Sequence, residues 1–592
     1  RQTARSTVIQ GEMGMEFSKK ELETDALVVG TGIAGCFAAI RAKELGANVL
    51  MVEQGKSGFW GQSSGGTHRL RVVLPDDDFD TVMEGTVKEC EYMIDQEYAA
   101  EALKETWTTF QDLLKLGVEF RRDDSGNIRW YFCDTLYPNF KQRQVLFEPM
   151  GTYKHILKVN KEAVRRGVKV LDRVLITDLL TTDGKVQGAV GFHTRDGNFY
   201  LIKAKAVVMA SGGFGGGGVS YPPLTGDGIA MGVKAGAELR GMEFGRTEVG
   251  GLLFDRGYPS WVYMLTNPQE KEVTITNVKG EEFLEKYELG RRLCGRKYYG
   301  PPWRLQLMAM LKELREGRGP CYVDYRAPQK ADRLREFWGS YFERALKQIA
   351  LTGTTLDKIK YELGVTRGHN QGGGIRIDAN GQSSLPGLYS GGVASDLCGT
   401  AQYTYLSGLN GAMITGRRAG DSAAKYALSQ SQPIVNARQV ERLYKHVYGP
   451  LNRKQGVTPD KMRLEITKNW LNVDIRNEIR LRKAHGAFQS LKETTSHLVA
   501  KDLQELAKCH KIKNYLECSD AIAVAALARR ETRLEHIRED YPLTDNKEWL
   551  KWVIVRLDGD ELRGYLEEIP ISRWKYKPEP HVLNQLRLKE EV

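Results

Sequence analysis

Residues 25–35 read DALVVGTGIAG, an apolar run that breaks into Gly30-x-Gly32-x-x-Gly35. The helical pattern CFAAIRAKELG follows, and then a second apolar run, NVLMVEQG, which carries Glu53. Between a strand and a helix, such glycines permit a tight turn and let backbone approach a pyrophosphate, which then sits on the helix N-terminus. Glu53 stands at about the 20-residue offset where a carboxylate accepts ribose hydroxyls. Strand, loop, helix, strand and acid in register predict a dinucleotide-binding unit. Its candidate cofactor contacts are Gly30, Gly32, Ile33, Ala34, Gly35, Glu53, Gln54, Gly55 and Lys56.

Working outward, residues 204–213 (AKAVVMASGG) form another buried strand breaking into glycines, which adds Ala210, Ser211 and Gly212. The segment before it reads as a meander of short strands with Asp-Gly turns. A third strand-to-glycine element, PGLYSGGVASD at 386–396, adds Gly392 and Val393, and the helix GLNGAMITGRRAG comes soon after. One nucleotide assembled from two ends of a chain around an inserted segment is the wiring of large flavin-binding folds. A nicotinamide domain is normally complete within about 150 contiguous residues. The expected cofactor is therefore FAD.

The 592 residues are enough for two to four domains, and 41% hydrophobic with 27% charged residues is ordinary for a globular protein. The net charge of +11 comes from scattered Lys and Arg. That excludes a nucleic-acid stripe and favours a basic surface attracting an anionic substrate or acidic partner. Eight cysteines lie far apart with no C-x-x-C, so no zinc or iron–sulfur site is expected in this chain, and reduced thiols suit a cytoplasmic protein. No apolar run approaches the roughly 20 residues of a membrane span. The N-terminal stretch has no hydrophobic signal region, and its lack of an initiating Met leaves a removed leader open.

These segments together resemble the flavoprotein superfamily of succinate dehydrogenase, fumarate reductase, L-aspartate oxidase and adenylylsulfate reductase. The resemblance extends through SSGG at 63–66, TGDGIAMGVKAGAELRGMEF at 225–244, EGRGPCYVD at 316–324, GHNQGGGI at 368–375 and AALARRETRLEHIREDYPLTDNKEWLKW near the end. It implies an α/β fold, a Rossmann-like FAD-binding domain with an inserted α+β capping domain and a C-terminal helical domain. The expected boundaries are an N-terminal extension (1–24), a first FAD-binding segment (25–245), a capping domain (246–365), a second FAD-binding segment (366–432), a helical domain (433–540) and a tail (541–592). Composition agrees. Residues 246–365 lose the strand–glycine alternation, and 437–540 read as amphipathic helices.

The resemblance also implies site residues. Covalently flavinylated members carry their flavin-bearing His where this chain has Phe59, and His68 is out of register, so a noncovalent FAD is implied. Gln62, Ser63, Ser64, Gly65, Gly66, Asp227, Ser407 and Leu409 complete the cofactor set. His369 matches the substrate-facing His of the family, and an imidazole can donate to a carboxylate or sulfate. Arg318 aligns, one residue short in spacing, with the proton-shuttling Arg of fumarate reductases. Three positions depart: Gln402 stands at the second substrate Arg, Glu248 at a His with Arg246 two residues earlier, and Val393 at an acid beside the flavin. Removing a bidentate Arg from a buried carboxylate site costs about 2–5 kcal/mol. A succinate- or fumarate-like site is therefore not expected. Phe59, Trp60, Gln402, Tyr403 and Tyr405, with Arg246 and Glu248, suggest instead, as a group, an aromatic, partly polar pocket in which a Tyr such as Tyr405 can serve as proton donor, while each ring taken alone reads as packing.

Arg533 and His536 keep family positions in the tail, near the site and the iron–sulfur partner of such complexes. The function expected is an FAD-dependent oxidoreductase subunit passing electrons between a small anionic or aromatic-pocket substrate and a ferredoxin-like or other iron–sulfur partner. An adenylylsulfate-reductase-like sulfur enzyme, a directly O2-using oxidase and a non-catalytic flavin relay are the alternatives.

Overall fold

The computed structural model describes residues 5–10, 16–65, 69–134, 140–149, 152–215, 224–244, 247–251, 274–286, 309–324 (apart from 311), 360–367, 373–400, 404–474, 476–578 and 582–584, with isolated positions between 343 and 358. Among them an eight-stranded sheet forms the centre. Its strands are β1 (Arg5–Gln10), β2 (Glu16–Val29), β3 (Val49–Glu53), β7 (Lys169–Asp172), β8 (Val174–Thr182), β9 (Lys185–His193), β10 (Phe199–Met209) and β17 (Leu388–Ser390). The order is β7-β3-β2-β10-β9-β8, with β1 on β2 and β17 on β10. β2, β3, β7, β10 and β17 run parallel, so their C-terminal ends reach one edge of the sheet. β10 serves two partners on one side, β9 through Phe199–Lys203 and β17 through Val207–Met209.

Alternation along β2 and β3 divides the core. Ala26, Val28, Val49 and Met51 pack beneath α1 (Ile33–Glu44), while Leu27, Val29, Leu50 and Val52 face the meander and the C-terminal helices. Three further helices, α2 (Phe79–Glu89), α3 (Gln96–Lys115) and α4 (Lys154–Arg165), precede the meander, and α5 (Asp227–Lys234) comes after β10. The two aspartates Asp78 and Asp95 cap α2 and α3 by accepting two backbone amides each. A three-stranded sheet of β4 (Arg69–Arg71), β5 (Tyr131–Asp134) and β6 (Lys141–Leu146) lies beside them in the order β4-β6-β5.

Two further four-stranded sheets occur among the described residues. One joins β12 (Thr247–Gly251), β13 (Thr274–Thr276), β14 (Tyr322–Asp324) and β15 (Lys360–Arg367). The other joins β11 (Leu239–Arg240) and β16 (Gly374–Ile375) to the tail hairpin β19 (Lys551–Asp558) and β20 (Glu561–Glu568), in the order β16-β11-β19-β20. A short pair, β18 (Leu543–Asp545) with β21 (Val582–Asn584), lies beyond. The expected α/β fold and its helical C-terminal region are observed. The latter is α7 (Ala437–Tyr448), α8 (Pro459–Asp474), α9 (Glu478–Thr494) and α10 (Leu503–Ala528).

The helix after β17, α6 (Gly408–Ser429), crosses α1 through small residues. A Cβ added at Gly416 would lie 2.4 Å from the Ala34 carbonyl oxygen, and one at Gly420 would lie 2.2 Å from that of Ala38. The backbones touch. Arg41 Nε donates to Asp421 Oδ1 at 2.8 Å on the rim of the same crossing.

Gly416→Ala is therefore expected to destabilise by about 1–3 kcal/mol through overpacking. Gly486→Ala, in α9 with no described atom within 4 Å of the added methyl, should be neutral or stabilise by up to about 1 kcal/mol. Denaturant titrations of the two variants check the contrast. Between α9 and α10, His485 Nδ1 lies 2.6 Å from the buried Asp520 Oδ1, and that hydrogen bond raises the imidazole above its ordinary value. Stabilisation by a raised group is complete below its unfolded value of about 6.5 and fades as pH climbs through the higher folded value. Thermal melts across that range should show His485→Gln losing stability relative to wild type at low pH and converging with it at high pH.

Candidate active site

Four strand ends meet at the edge of the central sheet. Gly30 N donates to Val52 O at 2.8 Å, Ala210 N to Val29 O at 2.9 Å and Gly391 N to Met209 O at 3.0 Å. These bonds hold the turns after β2, β3, β10 and β17 side by side. Gly30 has φ +106°, and a Cβ there would lie 2.4 Å from Ala210 O. A Cβ at Gly35 would fall 2.0 Å from Gly30 O. Only glycine fits either position, which leaves bare backbone facing whatever binds.

Glu53 is buried and braces this loop. Its Oε2 accepts from Thr31 N at 3.0 Å and Thr31 Oγ1 at 2.9 Å, and its Oε1 accepts from Gly55 N at 3.2 Å. Thr31 is not among the residues the sequence motifs single out; the available signal is a hydroxyl inside Gly-Thr-Gly facing an acid at the next strand end. Ile33 N, in the first turn of α1, donates to Ser63 Oγ at 3.1 Å, which draws the helical turn Gln62–Gly65 onto that N-terminus. Gln54 Oε1 is buried with no hydrogen-bond partner among the described residues. Lys56 is exposed and pairs with Asp172. Trp60 lies against Gly55, with Lys511 Nζ 6.0 Å from its ring centroid, while Phe59 is half exposed and packs on Tyr153.

The other end of the chain supplies the second half. Gly392 has φ +67°, and its N donates to Thr415 Oγ1 at 2.8 Å. A Cβ on it would lie 2.9 Å from Ala34 Cβ, and Val393 follows directly. Ser407 Oγ accepts from Thr404 N at 3.0 Å and donates to Thr404 O at 3.1 Å. It therefore builds a local turn, and α6 begins at Gly408 and Leu409 with no side-chain cap among the described residues, a start that suits an electronegative ligand edge. Ser211 Oγ accepts from Gly228 N at 3.1 Å, and Asp227 Oδ1 accepts from Thr225 Oγ1 at 3.0 Å and Asn514 Nδ2 at 2.9 Å. Asp227 thus joins the cradle to α10. Glycine positions closed to any Cβ, the orphaned Gln54 oxygen and two helix starts fit a diphosphate carrying a heterocycle at either end.

The catalytic expectations are placed unevenly. His369, Gln402 and Arg246 lie outside the described residues, as do Gly66 and Tyr403. Glu248 sits on β12 opposite Thr366. Arg318 Nε donates to Glu313 Oε2 at 2.7 Å and its Nη2 to Glu313 Oε1 at 2.9 Å, and it also pairs with Glu316. Those hydrogen bonds, Glu313 first, raise the guanidinium above its ordinary value and commit it as a cation. Tyr405 is 1% exposed among Val73, Phe140 and Ile414, and its Oη accepts from Arg143 N at 2.9 Å. Burial pushes its phenol up to about 12. Its placement does not match the expected lining role beside Trp60 and Phe59: it is a core group whose oxygen anchors β6.

Arg533 and His536 are also fully buried. Arg533 Nε donates to Glu531 Oε1 at 2.7 Å and its Nη1 to Glu91 O at 3.1 Å. His536 Nδ1 accepts from Arg476 Nη1 at 2.6 Å, and its Nε2 donates to Arg529 O at 3.2 Å. Burial, then Arg476, Arg529 and Arg538, lowers His536 well below its ordinary value, which keeps it neutral. Arg529 Nε in turn donates to Glu243 Oε1 at 3.0 Å, while burial raises Glu243. This network latches the tail to the segment leaving β11.

Residues 25–408 match the FAD binding domain family, and residues 465–583 match the fumarate reductase flavoprotein C-terminal family. A CoM/CoB fumarate reductase subunit of Methanothermobacter marburgensis is 28% identical over 556 residues, covering 90% of this chain and 97% of that one. Among solved structures, a point mutant of the E. coli quinol fumarate reductase superposes with TM-score 0.82 at 21% identity, over 94% of this chain and 98% of that one. Adenylylsulfate reductase from Archaeoglobus fulgidus superposes with TM-score 0.75 at 21% identity, over 94% and 98%.

Because Glu53 accepts three hydrogen bonds from the glycine loop and Gly55, a carboxamide there turns one acceptor into a donor facing donors. Glu53→Gln is expected to weaken FAD binding at least tenfold. Thr31→Val, which removes the hydroxyl's bond of about 1 kcal/mol, should weaken it about fivefold. Fluorescence titration of apoprotein with FAD measures both.

Proposed function

The chain belongs to the FAD-binding family with a fumarate reductase flavoprotein C-terminal region and is an FAD-dependent oxidoreductase of that type, and from this premise we propose that it is the flavoprotein subunit of an iron–sulfur complex acting on a small substrate other than succinate or fumarate. The observation that carries the reading is the cradle built at four strand ends from both ends of the chain, in a sequence whose Gln402 stands where dicarboxylate enzymes have Arg. FAD supplies a carrier that exchanges two electrons with substrate and one at a time with a metal centre. Phe59, in place of a flavin-bearing His, supports noncovalent binding.

In this reading the chain's own residues divide the work. Gly30, Gly32, Gly35 and Glu53 hold the adenosine diphosphate half, and Gly392 with the start of α6 holds the flavin half. His369 donates a hydrogen bond to the substrate, and Gln402 replaces an ion pair with a neutral carboxamide contact. Arg246 and Glu248 border the same site, and Arg318 is held as a cation by Glu313 and Glu316, which neutralise it. The M. marburgensis relative carries the name of one subunit of a fumarate reductase, which supports a partner subunit here. Among the described residues no helix is long and apolar enough to cross a membrane, and no group of three or more His, Cys, Asp or Glu is arranged to hold a metal ion.

Anaerobic purification from the native source tests the proposal. Acid precipitation should release the flavin, and an iron–sulfur protein should co-purify and reoxidise the reduced flavin, whereas fumarate added to the reduced complex should not. Rapid H2O2 formation by the isolated chain would sink the complex in favour of an oxidase. Reoxidation by fumarate would restore the dicarboxylate assignment.

A further inference from the structure

The three-stranded sheet β4-β6-β5 carries a polar face that none of the contacts above explains. Gln142 and Gln144 are two apart on β6, so both side chains leave the same side, and each is 2% exposed. Gln144 pairs across the sheet with Arg71 on β4 and Tyr131 on β5. Asn410, in the first turn of α6 and 1% exposed, adjoins the same sheet at β4: its Nδ2 donates to Arg71 O and, at 3.0 Å, to Tyr405 O. Arg71 Nη1 donates to Thr404 O at 3.4 Å, which ties the face to the chain two residues beyond Gln402.

Three side-chain oxygens in this group, Gln142 Oε1, Gln144 Oε1 and Asn410 Oδ1, are buried with no hydrogen-bond partner among the described residues. Buried polar atoms are almost always satisfied, so three such carboxamide oxygens on adjoining elements mark a place where a partner arrives. Their chemistry defines it. A carboxylate is acceptor-only and cannot satisfy carbonyl oxygens, whereas an N–H donor can. The two glutamines also bring amide N–H groups, which can donate to an acceptor beside that donor.

We infer that the Gln142–Gln144–Asn410 face binds a group presenting N–H next to C=O, a carboxamide or cyclic imide. Two sources carry that chemistry. One is the pyrimidine edge of the flavin, since Asn410 lies in the first turn of the helix that starts the flavin half of the cradle. The other is a substrate amide, since Thr404 follows Gln402 by two residues. The inference rests on the proposed FAD site and is independent of the iron–sulfur partner.

Two titrations on Gln144→Leu decide the matter. Apoprotein titrated with FAD reports the first source, and holoprotein titrated with fumaramide, the diamide of fumarate, reports the second through the flavin absorption spectrum. If the flavin edge is the ligand, FAD binding weakens at least tenfold and the fumaramide response keeps its wild-type midpoint. If a substrate amide is the ligand, FAD binding is unchanged and the fumaramide midpoint rises at least tenfold. If both titrations superpose on wild type, or if wild-type holoprotein ignores fumaramide and FAD binding is unaltered, the inference is overturned. Gln142→Leu, on the same strand face, is read in the same way should Gln144→Leu fail to fold.

Discussion

The cradle depends on two helices whose backbones touch. α1 follows the first glycine loop and α6 lies almost 400 residues later, yet Gly416 and Gly420 admit the Ala34 and Ala38 carbonyls with no room for a methyl group. This contact sets the distance between Ala34 and Gly392, and with it the width of the space shared by the two halves of the site. Such closeness has a cost, because glycines weaken α6 as a helix by about 0.5–1 kcal/mol each. The sheet offsets it: β10 holds β2 on one side and β17 on the other, so both helices emerge already aligned.

A second constraint fixes how the segment holding β12 to β15 enters and leaves. β11 leads toward it and β16 returns from it. They pair with one another, and β11 also pairs with the tail strand β19. Arg376, beside β16, makes a two-pronged ion pair with Glu567 of β20 and a further bond to Glu238 before β11. Arg529, Arg533 and Arg538 are fully buried behind this sheet, an arrangement tolerable only because each meets carboxylates and backbone carbonyls. The tail therefore orders both margins of that segment.

Much of this is legible in the sequence, and the exceptions are physical. Glycine patterns after apolar runs announce themselves because no other residue survives at Gly30 or Gly35. The cradle residues at 30–35, 53–56, 210–212 and 392 accordingly converge in the structure. Tyr405 misleads because its loop has no periodicity to tell a buried face from an exposed one; only the fold brings β6 over its hydroxyl. Arg533 and His536 sit in a charged motif that reads as lying near the site, yet they are buried against Glu91 and Arg476, 442 and 60 residues away in sequence. Thr31 and Asn514 stay silent for the opposite reason, since ordinary polar residues carry no signal until their partners Glu53 and Asp227 are in place.

The distribution of charge then bears on what the site recognises. A buried dicarboxylate needs fixed cations, whose own burial must be offset by the ligand's charge. Here the most buried guanidiniums among the described residues are engaged in the tail network, where Glu243, Glu531 and Asp540 already answer them. On the face tied to Thr404, the groups deepest in the protein are instead the carboxamides of Gln142, Gln144 and Asn410. Carboxamides carry no net charge, so they hold a neutral ligand without the desolvation penalty of an ion pair and discriminate through the pattern of donors and acceptors. In the proposed site, directional hydrogen bonds from these carboxamides act beside the Arg71 guanidinium that ties the face to Thr404.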